Sequence, residues 1–413
     1  MKKKRIVVTG MGIVSCLGND VELFYDNLLA AKSGIRPITL FDASQFPTRF
    51  AGEIVDFDPG EYIEKKQARR IDRSIAFALV AGKKALEQAG LYPEQQNIDK
   101  TRCGMLIGSG IGGMSTFEEN VRVLNEKGLR RITPFLIPFI LTNMGSALLA
   151  MDVGFMGPNY SISTACATSN NCIVSAAEHI RTGEADIMLC GGTEAPLSPI
   201  GVAGFCALKA LSERNDTPET ASRPFDKDRD GFVMAEGGAV IVLEELEHAL
   251  KRNAPIFAEY LGGALSCDAH HMTDPRTDGE GVALCIRKAL HDAGVREDEV
   301  QYINAHATST PAGDLCEVAG CLKVFSKPES IVMNATKSMT GHSLGAAGGM
   351  EAIACIQAIR RKMVHPTINM KDPEDIAFIL PREKMACDIR VALSNSFGFG
   401  GHNASIVLGS YTS

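Results

Sequence analysis

No tryptophan occurs in the 413 residues, and aromatic side chains make up only 6% of them. With 40 glycines beside that shortage of large rings, the chain suits tight strand-to-helix turns better than a helical bundle. No apolar run approaches the roughly 20 residues that span a bilayer, so a soluble protein is expected. The twelve cysteines include no Cys-x-x-Cys pair and no framework spacing, which predicts reduced thiols in a reducing compartment. A basic excess is missing too: the net charge of −7 argues against a nucleic-acid binder. Met1-Lys2-Lys3-Lys4-Arg5 imitates the start of a signal peptide. Gly10 breaks the apolar sequel too early, and Ile6-Val7-Val8-Thr9 reads as a first strand.

What is present is ordinary globular material, 45% apolar and 22% charged, in a chain long enough for two or three domain-sized units. Short β-rich runs alternate with helical periodicity, the pattern of an α/β protein. Strands are expected at Arg5–Thr9, Cys103–Gly108, Ile187–Gly191, Ala239–Glu244, Phe257–Gly262, Tyr302–Ala305, Ile331–Ala335, Arg390–Ser394 and Ala404–Leu408. Helices are expected at Arg73–Ala89, Asn170–Arg181, Glu280–Ala293, Gly313–Lys323 and Gly348–Arg361. The two halves echo each other faintly, which places a duplication seam near Glu247–Pro255 and divides the chain into 1–253 and 254–413.

Three motifs imitate known sites. Gly108-x-Gly110-x-x-Gly113 fits the dinucleotide fingerprint, but Arg130 and Arg131 stand where a ribose-binding acid belongs. Asp226-x-Asp228-x-Asp230-Gly231 imitates a calcium loop, yet its twelfth position is Gly237, so a hydrogen-bonded charged loop is the better reading. Gly341-His342-Ser343-Leu344-Gly345 has the form of a serine nucleophile elbow, with Asp372 or Asp388 and His402 following in triad order. Against it, the preceding strand ends near Ala335 and too little chain follows for a hydrolase sheet.

Cys166 carries more weight. It lies in Ser163-Thr164-Ala165-Cys166-Ala167-Thr168-Ser169, between a short strand read at Asn159–Ser163 and a helix that follows. A thiol at that corner faces the positive end of a helix dipole, which is expected to lower its pKa and present it to a substrate carbonyl. His306 and His342 each sit in a turn of small or polar residues after a strand. The turn Phe397-Gly398-Phe399-Gly400-Gly401 offers backbone N–H groups for an oxyanion hole.

These residues resemble those of the β-ketoacyl-[acyl carrier protein] synthases, elongating type II condensing enzymes of the thiolase-like superfamily. The resemblance covers essentially the whole chain. It rests on Val8-Thr9-Gly10-Met11-Gly12, Thr164-Ala165-Cys166-Ala167-Thr168, Arg223-Pro224-Phe225-Asp226 and Asp230-Gly231-Phe232-Val233. It continues through Asn304-Ala305-His306-Ala307-Thr308-Ser309-Thr310, Lys337-Ser338-Met339-Thr340-Gly341-His342 and Asn395-Ser396-Phe397-Gly398-Phe399-Gly400-Gly401.

The resemblance implies a five-layer αβαβα sandwich of two similar halves, a homodimer, and synthase II activity without a metal or a cofactor. The phosphopantetheine arm belongs to the acyl carrier protein. Cys166 would take an acyl chain from that carrier, and malonyl carrier protein would lose CO2 and extend the chain by two carbons. His306 and His342 would hold the malonyl thioester oxygen, and the N–H groups of Cys166 and Phe399 the acyl oxyanion. Lys337 matches a lysine that supports the site electrostatically, with Glu351 as its partner. Thr308 and Thr310 match residues that bind the pantetheine arm, Phe399 a gate, and Ile111 and Phe205 the acyl tunnel. Lys66, Arg69, Arg70 and Lys209 match a basic patch that receives the acidic carrier. His402, beside the gate, stands where many bacterial members carry threonine. The chain opens on its first strand without a transit peptide, which implies a bacterial cytoplasm or a processed plastid form. A polyketide-type ketosynthase shares every catalytic residue quoted, and a serine acyltransferase using Ser343 is the alternative from another class.

Overall fold

The computed structural model describes residues 3–93 and 98–412; Met1 and Lys2 of the basic opening run, and Ser413, lie outside the described residues. Nine strands carry the architecture: β1 (Ile6–Val14), β2 (Cys103–Gly108), β3 (Ile187–Glu194), β4 (Gly237–Glu245), β5 (Ala258–Cys267), β6 (Tyr302–Asn304), β7 (Val332–Asn334), β8 (Val391–Gly398) and β9 (His402–Gly409). Six helices pack on them: α1 (Arg73–Gln88), α2 (Met144–Val153), α3 (Thr168–Arg181), α4 (Glu280–Ala293), α5 (Pro311–Leu322) and α6 (Ala347–Arg361).

The strands join in the order β2-β3-β4-β1-β5-β9-β8-β6-β7. The central joint is thin, because β1 meets β5 only over Ile6–Val8 against Ala258–Tyr260. On either side of it the pairing repeats. β2 runs parallel to β3, which is antiparallel to β4, which is antiparallel to β1. In the same way β6 runs parallel to β8, β8 antiparallel to β9, and β9 antiparallel to β5. β7 adds a further parallel strand outside β6.

The strand expected at Asn159–Ser163 is the matching piece of the first block, and it is reduced to a single bridge from Asn159 to Met105. Pro158 has no N–H to donate. The segment therefore makes two bonds with β2, Gly157 N–H to Cys103 O and Met105 N–H to Pro158 O, and then leaves.

Strand alternation sorts the side chains into layers. Met105, Leu189, Val240 and Val242 pack with Phe77, Ala81 and Ala85 of α1 and Leu149 and Val153 of α2. Their neighbours Leu106, Met188, Ile241 and Leu243 point the other way, onto Ile173 and Ala177 of α3 and Ile353 and Ile356 of α6. The same middle cluster takes Ala392, Ile406 and Leu408 from the second block. Ile303, Leu393 and Val407 face outward onto α4 and α5. The succession is helices, sheet block, helices, sheet block, helices: the five-layer αβαβα sandwich expected from the sequence.

Both middle helices start through the same turn. A 3-10 turn at Ala165–Ala167 leads into α3, and one at Leu344–Ala346 leads into α6. Ala165 and Leu344 hold φ of +49° and +47°, a left-handed conformation that costs a side-chain-bearing residue roughly 1–3 kcal/mol. Ser343-Leu344-Gly345 is thus the structural repeat of Thr164-Ala165-Cys166, which explains why it imitates a nucleophile elbow.

Candidate active site

A cavity of about 540 Å³ opens between the two turns. Its wall brings together Ile111, Cys166, Phe205, Lys209, His306, Thr308, Thr310, His342 and Phe399, residues spread across both halves of the chain. A second cleft of about 550 Å³, among Pro37, Phe41, Arg49 and Asn215, contains none of the candidate catalytic groups.

Cys166 is half-buried at the start of α3. Burial pushes its thiol up to about 12, against the pull of the Lys337 ammonium and a backbone hydrogen bond, while Glu194 pushes it further up. The lowered thiol pKa expected from the helix end is therefore not the resting state: losing water outweighs the Lys337 charge and the backbone hydrogen bond. The corner itself is firmly held. Thr168 Oγ1 accepts from the Thr164 N–H at 2.9 Å and donates to Ala165 O at 2.7 Å. Gly398, at the end of β8, lies so close that a Cβ on it would stand 3.0 Å from Cys166 N and 2.8 Å from Thr164 O. Gly400 and Gly401, at φ +87° and +73°, close the β8–β9 hairpin that carries Phe399.

The two histidines cross ring to ring at 5.3 Å, and each meets a phenylalanine edge-on: His342 with Phe232 at 5.3 Å, His306 with Phe397 at 5.7 Å. Cys166 Sγ and a nitrogen of each ring lie within 4.8 Å of one another. Zinc accepts such a donor set, although Lys337 beside His306 sets a positive charge against an added cation. Burial, then Lys337, drives both imidazoles well below their usual range, so both are neutral.

Lys337 fixes how His306 carries its hydrogen. Its ammonium donates to His306 O at 2.6 Å, approaches Nδ1 at 3.3 Å, and pairs with Glu351. An ammonium has no lone pair, so Nδ1 accepts and the ring hydrogen sits on Nε2. His342 is 2% exposed, and neither of its ring nitrogens has a protein partner. A buried polar group of this kind is poised for a ligand.

Three carboxylates escaped the sequence reading. Glu317 accepts from the backbone N–H groups of His306 and Ala307, at 3.0 and 2.8 Å, and from Asn395 at 3.0 Å. Asp314 accepts from the Ser309 and Phe225 N–H groups at 3.0 Å each, and Arg229 donates to Thr310 O at 3.0 Å. Together they anchor the loop holding Thr308 and Thr310, whose hydroxyls meet at 3.0 Å. Glu194, on the cavity wall, takes four hydrogen bonds. Lone acids among apolar residues carry no spacing signal, so only the fold reveals what they hold.

The remaining expectations separate cleanly. Lys337 and Glu351 stand behind His306 rather than on the cavity wall, both almost fully buried. Lys66, Arg69 and Arg70 are exposed in and just after a short helix at Lys65–Ala68 and do not line the cavity; Lys209 does. The calcium-like loop is a hydrogen-bonded one: Asp226 accepts from the N–H groups of Lys371, Asp372 and Asp228, and Asp230 pairs with Arg223 at 2.9 Å. Ser343 is buried with its hydroxyl on Met350 Sδ at 3.5 Å. Asp372 pairs with Lys227, and Asp388 with Lys362. No serine triad is assembled among the described residues.

The family described as "Beta-ketoacyl synthase, N-terminal domain" matches residues 3–249, and "Beta-ketoacyl synthase, C-terminal domain" matches 257–371. The chain belongs to the β-ketoacyl synthase family. The chloroplastic 3-oxoacyl-[acyl-carrier-protein] synthase I of Arabidopsis thaliana is 59% identical, over 99% of this chain and 87% of that one. The chloroplastic synthase II of the same plant is 53% identical, over 99% of this chain and 76% of the other. Among solved structures, a type II polyketide ketosynthase in complex with its acyl carrier protein superposes with a TM-score of 0.92. It is 34% identical, and the match covers 100% of both chains. The fold is thiolase-like, as expected. The chain is a condensing acyltransferase of fatty acid biosynthesis, a β-ketoacyl-[acyl carrier protein] synthase acting as the sequence predicted for synthase II. Enzymes of this family need no cofactor beyond the phosphopantetheine that acyl carrier protein brings.

Proposed function

We propose that Cys166 is the acylated nucleophile and that His306 and His342 act on the malonyl half of the reaction. Cys166 sulfur attacks the acyl-carrier thioester. The carrier's sulfur leaves and ends as a thiol with the proton that Cys166 gives up. The oxyanion formed on the way is held by the N–H groups of Cys166 and Phe399. Malonyl carrier protein then enters. Its C–CO2 bond breaks, and the electron pair moves into an enolate whose oxygen takes hydrogen bonds from both imidazoles. The enolate carbon attacks the Cys166 thioester, the C–S bond breaks, and the thiolate takes up a proton. The products are CO2 and a β-ketoacyl carrier protein two carbons longer.

The observation that carries this reading is the pair of neutral imidazoles beside the thiol. One is fixed as an Nε2–H donor by Lys337, and the other is buried without a partner. Thr308 and Thr310 bind the pantetheine arm, Ile111 and Phe205 line the acyl pocket, and Phe399 gates it; their places on one wall support these roles. Lys66, Arg69, Arg70 and Lys209 receive the carrier, supported by their exposure. The halves divide as 1–253 and 254–413, supported by the thin β1–β5 joint. The working unit is a homodimer, supported by the exposed apolar surface of Phe117, Leu129 and Ile137 at 50%, 78% and 61%. It works in a bacterial cytoplasm or a plastid stroma. The chloroplastic names of the plant relatives support the second place, and no helix of the described residues is long and apolar enough to cross a membrane.

The histidine roles are tested by separating the half-reactions. His342→Ala is expected to accept an acyl chain onto Cys166 within about tenfold of the normal rate, and to lose CO2 release from malonyl carrier protein by on the order of 100–1000-fold. Equal loss of both steps would contradict the assignment.

A further inference from the structure

The duplicated turns do not end in the same chemistry. Cys166 N faces the end of β8, where Gly398 leaves the space open. Its repeat, Gly345, faces the end of β3, and the residue there is Glu194. The correspondence is set by register, since Glu194 pairs with the first residue of β4 as Gly398 pairs with the first residue of β9. Where one cradle is open for a substrate oxyanion, the other is filled from within by a carboxylate.

The contacts are those of an anion site. One oxygen of Glu194 accepts from Gly110 N at 2.7 Å and from Gly345 N at 3.0 Å. The other accepts from Ser109 Oγ at 2.7 Å and Ile111 N at 3.1 Å. All four donors are neutral. The approach needs glycine on both sides: a Cβ on Gly345 or Gly110 would stand 2.6 or 2.8 Å from the carboxylate. The clamped segments also matter elsewhere. Ser163 Oγ donates to the carbonyls of Ser109 and Gly110 at 3.0 and 3.1 Å, so the same loop braces the chain leading into Cys166. Gly345 lies three residues after His342.

We propose that Glu194 is a positioning residue. It acts as a resident anion in the second cradle and locks the acyl-pocket wall at Gly110-Ile111 to the turn that follows His342. The inference rests on the reading of Ile111 as acyl-pocket wall. Glu194 touches no substrate on this account. It keeps the wall, the Cys166 corner and the His342 turn in one register.

The test is chemical rescue of elongation in Glu194→Ala, with Glu194→Gln and Ile111→Ala alongside. Glu194→Ala is expected to elongate acyl carrier protein on the order of 10–100-fold more slowly, the scale of a small misplacement of reacting groups. Acetate, which replaces the missing carboxylate, is expected to restore most of that rate; acetamide, its neutral isostere, is not. Glu194→Gln should stay slow and folded, with a lowered melting temperature, because its amide turns N–H groups toward donors. Wild-type elongation by Glu194→Ala, or a folded Glu194→Ala that acetate does not help, overturns the proposal. If Glu194→Ala does not fold, Glu194→Gln decides: a wild-type rate overturns the proposal and a slow, folded variant supports it. An unchanged chain-length preference in Ile111→Ala would remove the pocket-wall reading alone, while acetate rescue reports on Glu194 separately.

Discussion

At Cys166 two influences oppose each other, and the sequence exposed only one of them. A strand-to-helix corner is legible as a motif, and with it the helix end that favours a thiolate. The depth of the corner, and the Glu194 carboxylate near it, belong to the fold. Because burial holds the thiol near 12, its alkylation by iodoacetamide is expected to keep rising from pH 7 to pH 10 without a plateau. A plateau below pH 8 would mean that the helix end and Lys337 win. His306 and His342 were legible because each stands in a turn of small residues within a motif. Glu194, Glu317 and Asp314 were not, because each acts by accepting backbone N–H groups in the folded chain: Glu194 from segments more than eighty residues away, Glu317 and Asp314 from the loop just before their own helix, with Phe225 N–H added at Asp314. Gly398 makes a sharper residue-scale prediction. A methyl there would crowd the Cys166 N–H, so Gly398→Ala should slow acylation by on the order of 100–1000-fold, as removing an oxyanion donor does. Stopped-flow acylation measures it, and a change under twofold would contradict the cradle.

At the scale of elements, periodicity and punctuation placed five helices to within two residues. The helix at Glu280–Ala293 came out as expected, because Gly279 and Gly294 bracket its amphipathic stripe. Strand interiors were found, and Cys103–Gly108 in full, but two ends at the site ran short: β8 extends to Gly398 and β3 to Glu194, beyond the apolar runs, and those ends line the candidate site. The helix at Met114–Lys127 was missed although Phe117, Val121 and Leu124 stand at helical spacing; in the fold they face outward rather than into a core. Behind the site, β6 and β7 are tied by a buried network in which Thr336 Oγ1 bonds His365 Nε2 at 3.0 Å and Asn304 reaches Thr336 at 2.8 Å. Burial lowers His365 to about 4. The unfolded chain therefore binds this proton first as pH falls. Stability from His365 is whole above pH 6.5 and drains away toward pH 4. The stability gap between wild type and His365→Gln should accordingly narrow over that window, by up to roughly 3 kcal/mol in urea titrations. A gap that stays constant would show that His365 does not resist protonation.

At the scale of the molecule, two sheet blocks hold α3 and α6 between them, and the groups proposed to react come from opposite sides of the proposed seam. Cys166 arrives on α3 from the first half, and His306 and His342 arrive from the second. The weak internal echo in the sequence was the trace of this duplication, blurred because β7 is a full strand while its counterpart is a single bridge beside Pro158. The exposed apolar face at Phe117, Leu129 and Ile137 is expected to close in a dimer. Phe117→Asp with Ile137→Asp should give a monomer by light scattering, and an unchanged mass would place the interface elsewhere. The central claim is that the chain forms its thioester on Cys166, and intact-mass spectrometry tests it most directly. Wild type, Cys166→Ala and Ser343→Ala are each incubated with a medium-chain acyl carrier protein. One acyl adduct on wild type and Ser343→Ala, and none on Cys166→Ala, is the predicted result. An adduct that survives in Cys166→Ala and maps to Ser343 would contradict it.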